Sequence, residues 1–164
     1  MDQQTTLKTM FGNPIQIGLV VKDARRTAEL LEALFGIGPF RFEDWPPRDR
    51  PEFNRFVDGK PADFRTLLAF ADWDNLEIEL IESIEGTSGY TEHLAKKGEG
   101  VHHLLFEVDD LDAATAAFAE RGIGVKMGAT GRRPGTRWVL LDTVDHFGFS
   151  TELRNKLPQE KSTP

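Results

Sequence analysis

Residues 98–114, GEGVHHLLFEVDDLDAA, decide the fold of this chain. Apolar side chains dominate the first part and alternate with polar ones, which predicts a β-strand over residues 100–110. Asp110 then stands where the N-cap of a helix is expected, directly before LDAATAAFAERG (111–122). Gly122 is the type of residue that ends a helix. A strand, a cap, a helix and a stop are therefore predicted in succession.

The same order of signals occurs earlier in the chain. QIGLVVKD (16–23) matches HLLFEVDD (103–110) in length, alternation and final aspartate, and Asp23 is the expected cap of a helix, ARRTAELLEALFG (24–36). Further matches are LFGIG (34–38) with AERGIG (119–124), and LEIELIES (76–83) with FSTELRNK (149–156). We interpret the chain as an internal duplication of a β-α-β-β-β unit, at a period too long for a solenoid.

The predicted fold class is α+β, with two tandem βαβββ modules that form a curved, mostly antiparallel sheet around a cleft. Further strands are predicted over residues 64–73, 76–84, 124–130, 136–143 and 147–154, with a helical connector over 88–98. The expected divisions are a flexible N-terminus (1–13), the first module plus connector (14–98), the second module (99–154) and a flexible tail (155–164). In the first helix we expect one buried face, formed by Ala28, Leu31, Leu34 and Phe35.

Residues 43–62, EDWPPRDRPEFNRFVDGKPA, contain too much proline and charge for a central strand and predict a surface loop. The second module has no counterpart of this insertion. Its aromatic and positively charged residues are Trp45, Phe53, Phe56, Arg48, Arg50 and Arg55. At the mouth of a cleft, such a loop would act as a lid that selects an anionic, partly apolar substrate. An interface or a solvated loop is the alternative.

The composition excludes several classes of partner. Hydrophobic residues make up 39% and charged residues 29% of the 164 residues, which is an ordinary globular balance. The net charge of −7 argues against nucleic acid as a partner, and no apolar run is long enough to cross a membrane. Cysteine is absent, which excludes disulfides and cysteine-ligated metals, and suits a cytoplasmic protein. The composition thus argues against nucleic acid and membranes as partners.

The first and fourth strands of each half carry the candidate site. Their apolar residues form the face that packs under the helix, and side chains on a strand alternate between two faces. Four polar residues then lie at matched positions of the inward face: Gln16, Glu79, His103 and Glu152. Taken singly, such residues are more often structural or solvated, but their symmetric recurrence favours a common site.

The chemistry of these four residues suits a metal ion. Two carboxylates that meet in a cleft repel each other unless a positive charge lies between them. One imidazole, two carboxylates and one amide oxygen suit a divalent ion, namely zinc, nickel, cobalt, manganese or magnesium. The predicted cofactor is one such ion, with open coordination positions for a substrate.

The paired modules resemble a known superfamily. With QIGLVVKD, IELIES (78–83), GEGVHHLLFEVDDLDAA and STEL (150–153), the chain is similar to the vicinal oxygen chelate (glyoxalase/bleomycin resistance/dioxygenase) proteins over residues 14–154. Residues 76–114 look most like methylmalonyl-CoA epimerases. The resemblance implies a homodimer and a divalent metal ion bound by Gln16, Glu79, His103 and Glu152.

The chain departs from the epimerases at several positions. They usually have histidine in place of Gln16 and often glutamine in place of Glu79, whereas the present set is similar to that of human-type glyoxalase I. The epimerases also use a second catalytic glutamate on the third strand, where this chain has Arg65 or a neighbour, so one of the two bases would be missing unless Asp63 or a carboxylate of the loop takes its place. Arg65 is expected to neutralise an anion in the cleft, or to pair with Asp63 or Glu77 on the surface.

The expected function is that of a metal-dependent lyase or isomerase, epimerase-like, that acts on a carbonyl or thioester compound. The ion would coordinate the carbonyl or enolate oxygen, Glu152 would serve as general base, and Glu79 would assist from the opposite face. Arg65 is the third candidate for a catalytic residue, after Glu152 and Glu79. The alternatives are a metal-free small-molecule binding protein, a ring-cleaving dioxygenase of the same superfamily, and an enzyme that activates metal-bound water. The missing second histidine counts against the dioxygenase.

Three other features are expected to be structural. His102 should face the helix side of its strand, as a core residue or as one that supports a neighbouring ligand, and His93 should face solvent on the connector. The sequence GRRPG (131–135) lacks the helix N-terminus that a phosphate loop needs, and we interpret it as a basic turn.

Overall fold

The structure is a computed structural model that describes residues 10–47 and 53–157. The strands are β1 (Gln16–Val21), β2 (Arg41–Trp45), β3 (Phe56–Val57), β4 (Lys60–Pro61), β5 (Arg65–Trp73), β6 (Leu76–Glu85), β7 (Gly100–Val108), β8 (Val125–Thr130), β9 (Arg137–Leu141) and β10 (Ser150–Asn155). The helices are α1 (Ala24–Phe35), α2 (Gly89–Lys97), α3 (Leu111–Ala119) and α4 (Val144–Phe147). The predicted α+β class is confirmed.

The ten strands of the described residues form one curled sheet in the order β2-β5-β6-β1-β7-β10-β9-β8-β3-β4. Within each half, the first strand pairs parallel with the fourth: β1 with β6, and β7 with β10. All other pairs are antiparallel, including the central pair of β1 with β7, which joins the two halves. The result is a half-barrel with a concave face, which we call the cleft.

The ends of the helices follow the sequence signals. Asp23 and Asp110 cap α1 and α3, since their carboxylates accept hydrogen bonds from the backbone N–H of Arg26 and Ala113, each at 2.9 Å. Gly36 ends α1 in the left-handed conformation, with φ of 68°. Among the described residues no helix is long and apolar enough to cross a membrane.

The buried face of α1 differs from the prediction. Ala24 and Ala28 are buried, whereas Leu34 and Phe35 are 71% and 69% exposed. The small alanines let the helix lie close to β5 and β6, which it contacts, and the bulky residues of its last turn lie in solvent. The sequence period marks an apolar face but not how far the sheet extends beneath it.

Two apolar layers lie on the convex side, one under each module helix. The layer under α1 includes Val21, Ala28, Ala69, Ile78 and Leu80, and the layer under α3 includes Val108, Leu111, Ala114, Leu141 and Leu153. Phe11, within the segment expected to be flexible, packs its ring 5.9 Å from that of Phe106 and 5.7 Å from that of Phe118.

The insertion is built into the sheet, so the prediction of a surface loop over 43–62 is wrong for the described part. Its strand β3 pairs antiparallel with β8, at the far edge of the second module. Trp45 and Phe53 are buried, with ring centroids 5.7 Å apart, and Arg55 pairs with Asp63 at 2.9 Å. The aromatic residues fill the concave side, which stabilises the segment despite its prolines and charges. Arg48 and Arg50 lie outside the described residues.

Candidate metal centre

Three oxygen atoms surround one nitrogen of a buried histidine. The Nε2 atom of His103 lies 3.2 Å from Oε1 of Gln16, 3.3 Å from Oε2 of Glu79 and 3.2 Å from Oε2 of Glu152. His103 is fully buried, and the other three residues are at most 8% exposed. The structure therefore brings together all four residues that the sequence predicted as ligands.

Each of the four central strands supplies one of these side chains. Gln16 lies on β1, Glu79 on β6, His103 on β7 and Glu152 on β10. These strands are neighbours in the order β6-β1-β7-β10, so the duplication places the two halves of the set around one axis. The convergence follows from the repeat and from strand alternation.

The set fits a divalent metal ion. A single imidazole N–H cannot donate to three acceptors at once, so protein atoms alone leave oxygen lone pairs facing one another. An ion with bonds of about 2.0–2.2 Å would hold neighbouring ligands about 3.0–3.5 Å apart, which matches the distances around Nε2 of His103. Ligand atoms of Glu79, His103 and Glu152 all lie within 4.8 Å of one another. The amide nitrogen of Gln16 donates to Glu77 at 2.7 Å, which turns its oxygen toward His103.

The charges in this cluster are strongly coupled. Burial would lower the pKa of the His103 imidazole, but Glu152 and Glu79 outweigh it and raise that pKa above its ordinary value. Burial raises the pKa of Glu152 to about 7 when no cation is bound, an effect that His103 opposes and Glu79 increases. Burial and the two glutamates also raise the pKa of the Tyr90 phenol, which stays protonated at neutral pH.

A β-bulge places His102 differently from the prediction. His103 pairs with Gly18, and Val101 pairs with the next residue, Leu19, so His102 is an extra residue in β7. Its ring contacts Tyr90 of α2, with centroids 5.0 Å apart, instead of facing the module helices. The predicted side of the strand is therefore wrong for His102, because strict alternation fails at a bulge, whereas its burial agrees with the predicted core position.

His93 also differs from its prediction. Its side chain is partly buried, and its ring lies edge-on to that of His102, with centroids 5.1 Å apart. The connector helix is thus packed against the strand that carries the candidate metal centre, and His93 forms part of that contact.

The third candidate for catalysis, Arg65, does not enter the cleft. It lies 3.9 Å from both Asp44 and Glu85, and the next residue, Thr66, lines the cleft instead. The residues that β5 and its preceding residue present to the cleft are Phe64, Thr66, Leu68 and Phe70. None of these four is a carboxylate, so this strand does not supply the second catalytic glutamate that the epimerases use.

Among the described residues, three arginines line the cleft: Arg132 and Arg133 in the turn that the sequence indicated as structural, and Arg154 on β10. Arg132, in the basic turn, lies 3.7 Å above the ring of Phe70 and donates to Glu43 at 2.8 Å. Arg154 lies two residues after Glu152 on β10, so it shares its face, and strand alternation could have indicated it. No sequence signal indicates Arg132, because its place depends on how the turn reaches across to the first module.

The cleft holds about 540 Å³ of empty volume, counted to its open mouth. Its apolar wall includes Trp45 and Trp138, with ring centroids 5.8 Å apart, and Phe70 beneath Arg132. The hydroxyl of Thr66 is buried there and has no protein partner. The arrangement combines an apolar wall, positive charge and a candidate metal centre in one cavity.

Solved structures share this fold. A hypothetical protein from Bacillus halodurans C-125 matches with a TM-score of 0.67 and 20% identity, over 91% of this chain and 97% of the other. A methylmalonyl-CoA epimerase in complex with methylmalonyl-CoA and NH4+ matches at 0.64 and 26%, over 92% and 98%. A variant of the Streptomyces coelicolor methylmalonyl-CoA epimerase in complex with 2-nitronate-propionyl-CoA gives 0.64 and 26%, over 94% and 99%.

The family is shown by sequence. No curated protein matches the chain significantly. The family model of the Glyoxalase/Bleomycin resistance protein/Dioxygenase superfamily matches residues 15–138, which include β1, β6 and β7 with three of the four converging side chains. With its paired modules and curled sheet, the chain belongs to this superfamily.

Proposed function

We propose that this protein is a metal-dependent isomerase or lyase that removes a proton next to the carbonyl group of an anionic carbonyl or thioester substrate. The observation that carries the proposal is the convergence of three oxygens on Nε2 of His103 inside a cleft lined by arginines. The similarity to methylmalonyl-CoA epimerases at 26% identity supports the same type of chemistry.

Gln16, Glu79, His103 and Glu152 would hold one divalent ion, such as zinc, nickel, cobalt, manganese or magnesium. When bound, the ion would stabilise negative charge that develops on the carbonyl oxygen of the substrate. The buried amide of Gln16 and the imidazole of His103 would act only as ligands, which leaves proton transfer to the two carboxylates.

Glu152 is the proposed general base. It lies beside the arginine-lined part of the cleft, since Arg154 and Arg132 both act on its charge. Glu79 lies on the other side of His103 and would assist from the opposite face. Among the described residues that line the cleft, Glu79 and Glu152 are the carboxylates, so we assign proton removal and return to this pair.

The walls of the cleft indicate the substrate class. Arg132 and Arg154 supply positive charge, whereas Trp138 and Phe70 supply an apolar surface. The cleft is open to solvent, so the reacting part of a small acyl group would lie inside while the rest of a larger thioester would extend through the mouth. The proposed substrate is therefore a small acyl compound that carries an anionic group.

Solvent deuterium exchange tests the proposal. Metal-loaded protein in D₂O should accelerate loss of the α-proton signal of methylmalonyl-CoA in proton NMR, above the rate with chelator present. Glu152→Gln should lower that rate about 10²–10⁴-fold. Propionyl-CoA, which lacks the carboxylate, should exchange more slowly. If the metal-loaded protein exchanges neither thioester, nor a panel of anionic 2-oxo compounds, the proposed chemistry is wrong.

A further inference from the structure

His102 and His103 face each other through the same ring atom. Their Nδ1 atoms lie 3.2 Å apart, and both side chains are buried. Two neutral imidazoles in this arrangement can form a hydrogen bond only if one Nδ1 carries a proton and the other carries a lone pair. The direction of this bond decides which nitrogen of His103 is free to bind a metal ion.

Metal binding at Nε2 of His103 sets the direction, because a neutral imidazole that offers its Nε2 lone pair carries its proton on Nδ1. The surroundings of His102 suit this direction, since the backbone of Gly89 acts to raise the pKa of the His102 imidazole, against the larger effect of burial. The N–H of Gly89 is already directed at the sulfur of Met127, at 3.3 Å, so its carbonyl is the group left to accept from His102. Because Nδ1 of His102 faces His103, the donor to Gly89 is Nε2. The neutral ring of His102 then keeps a lone pair on Nδ1.

We propose that His102 is a positioning residue that fixes the tautomer of His103. When an ion is bound, Nδ1 of His102 would accept a hydrogen bond from the Nδ1–H of His103, which leaves the Nε2 lone pair of His103 for the ion, together with the oxygens of Gln16, Glu79 and Glu152. A metal-binding histidine usually donates its second ring N–H to a carboxylate, a backbone carbonyl or water. In this chain the partner is the adjacent histidine, itself held by the backbone of α2.

The fold supplies rigid support for this chain of hydrogen bonds. The bulge in β7 turns His102 onto α2, where it packs against Tyr90 and His93. Gly89 is the first residue of α2, and Ser88 and Thr91 fix that end of the helix through a capping box. The connector between the modules thereby becomes part of the candidate metal centre.

Two variants of His102 separate its hydrogen bond from its packing. Asparagine carries an oxygen at the position of Nδ1, two bonds from Cβ, and so restores the acceptor. Leucine has the same branching without the oxygen. Both lose the ring contacts with Tyr90 and His93, so any cost to folding is shared. Only the difference between the two variants reports on the acceptor.

Metal affinity is the first readout, and it rests on the proposed metal centre. In competition with a chelator, we expect His102→Leu to bind zinc and cobalt about 10–100-fold more weakly than the wild-type protein. His102→Asn should stay within a few-fold of the wild-type protein. Equal affinities in the two variants, whether both normal or both weakened, would overturn the role of His102.

Proton NMR of the zinc-loaded protein is the second readout. With zinc on Nε2, the Nδ1–H proton of His103 should show the downfield shift of a hydrogen-bonded proton in the wild-type protein and in His102→Asn. His102→Leu should move this signal upfield, and an unchanged spectrum would overturn the inference. A wild-type protein that binds no zinc would defeat the proposed function, whereas normal zinc binding without a difference between the two variants would defeat this inference alone.

Discussion

The imidazole of His103 occupies the space that a side chain at Gly18 would need. A Cβ atom on Gly18 would lie 2.1 Å from Cε1 of His103, and the two residues are paired across β1 and β7. The absence of a side chain on one strand therefore permits the position of the imidazole on the other.

Gly18→Ala should displace the imidazole and weaken zinc binding, because the fully buried ring cannot move without disturbing its neighbours. Overpacking of this kind costs about 1–3 kcal/mol of stability. Titration with zinc and urea unfolding measure the two effects. Gly124→Ala is the matched control, since no heavy atom lies within 4 Å of the Cβ that it would add. Normal zinc affinity in Gly18→Ala would contradict the arrangement.

His103→Ala should abolish stoichiometric metal binding, because Nε2 of His103 is the atom on which the three oxygens converge. Metal analysis after reconstitution with zinc, nickel, cobalt or manganese would measure the content per chain. His146→Ala, at an exposed position on α4, should keep one ion per chain. A wild-type protein without metal under these conditions would favour a metal-free binding protein instead.

Strand alternation was sufficient to predict the converging side chains. Gln16, Glu79, His103 and Glu152 each stand one position away from residues with an evident place under a helix, and the duplication relates the two pairs. A local pattern suffices here because the position of a residue along its strand decides on which face of the sheet its side chain lies.

Features that depend on contacts between distant segments were not predictable in this way. The bulge at His102 depends on the register of β7 against β1, and the position of Arg132 depends on a turn that reaches the first module. Trp45 and Phe53 are buried because β3 joins the edge of β8, a pairing that the proline-rich sequence does not indicate. The prediction of Arg65 in the cleft was wrong by one position along β5, because the next residue, Thr66, lines the cleft instead.

The metal-free protein should lose stability as the pH rises from about 6.5 to about 8. The pKa of Glu152 is raised to about 7 and that of His103 is also raised, so the folded state binds protons more tightly than the unfolded chain in this range. At lower pH the effect is partly cancelled, because the lowered pKa values of His102 and His93 act in the opposite direction.

Urea unfolding at several pH values measures this dependence. Glu152→Gln should flatten it, since it removes one titrating group and the charge that raises the pKa of His103. Zinc-loaded protein should show the reverse trend, because metal binding displaces the protons and is favoured at higher pH. A metal-free protein whose stability is constant across this range would contradict the coupling of His103 with Glu152.

Phe53→Ala should destabilise the protein by about 3–5 kcal/mol, the usual cost of removing a buried aromatic ring. Phe53 is 4% exposed and packs against Trp45, so the insertion contributes to the core. Phe147→Ala, at a position 58% exposed, should change the stability by less than about 0.5 kcal/mol. Equal unfolding midpoints for the two variants would show that the insertion acts as a detachable lid.

Arg132→Gln should impair recognition of anionic substrates without affecting the metal ion. The guanidinium is held over Phe70 and by Glu43, and it lines the cleft. Loss of a hydrogen bond to a charged group costs about 1.5–3 kcal/mol, so kcat/KM for methylmalonyl-CoA exchange should fall about 10–100-fold, mainly through KM. The zinc affinity should stay within a few-fold of the wild-type protein, because Arg132 is hydrogen-bonded to Glu43 and acts on Glu152 only through its charge. Arg137→Gln is the control, since Arg137 is 58% exposed and pairs with Asp112.

One outcome would contradict this role of Arg132. If Arg132→Gln discriminates between methylmalonyl-CoA and propionyl-CoA as well as the wild-type protein does, the anion must be recognised by another part of the cleft. Arg154 is then the remaining arginine that acts on the charge of Glu152.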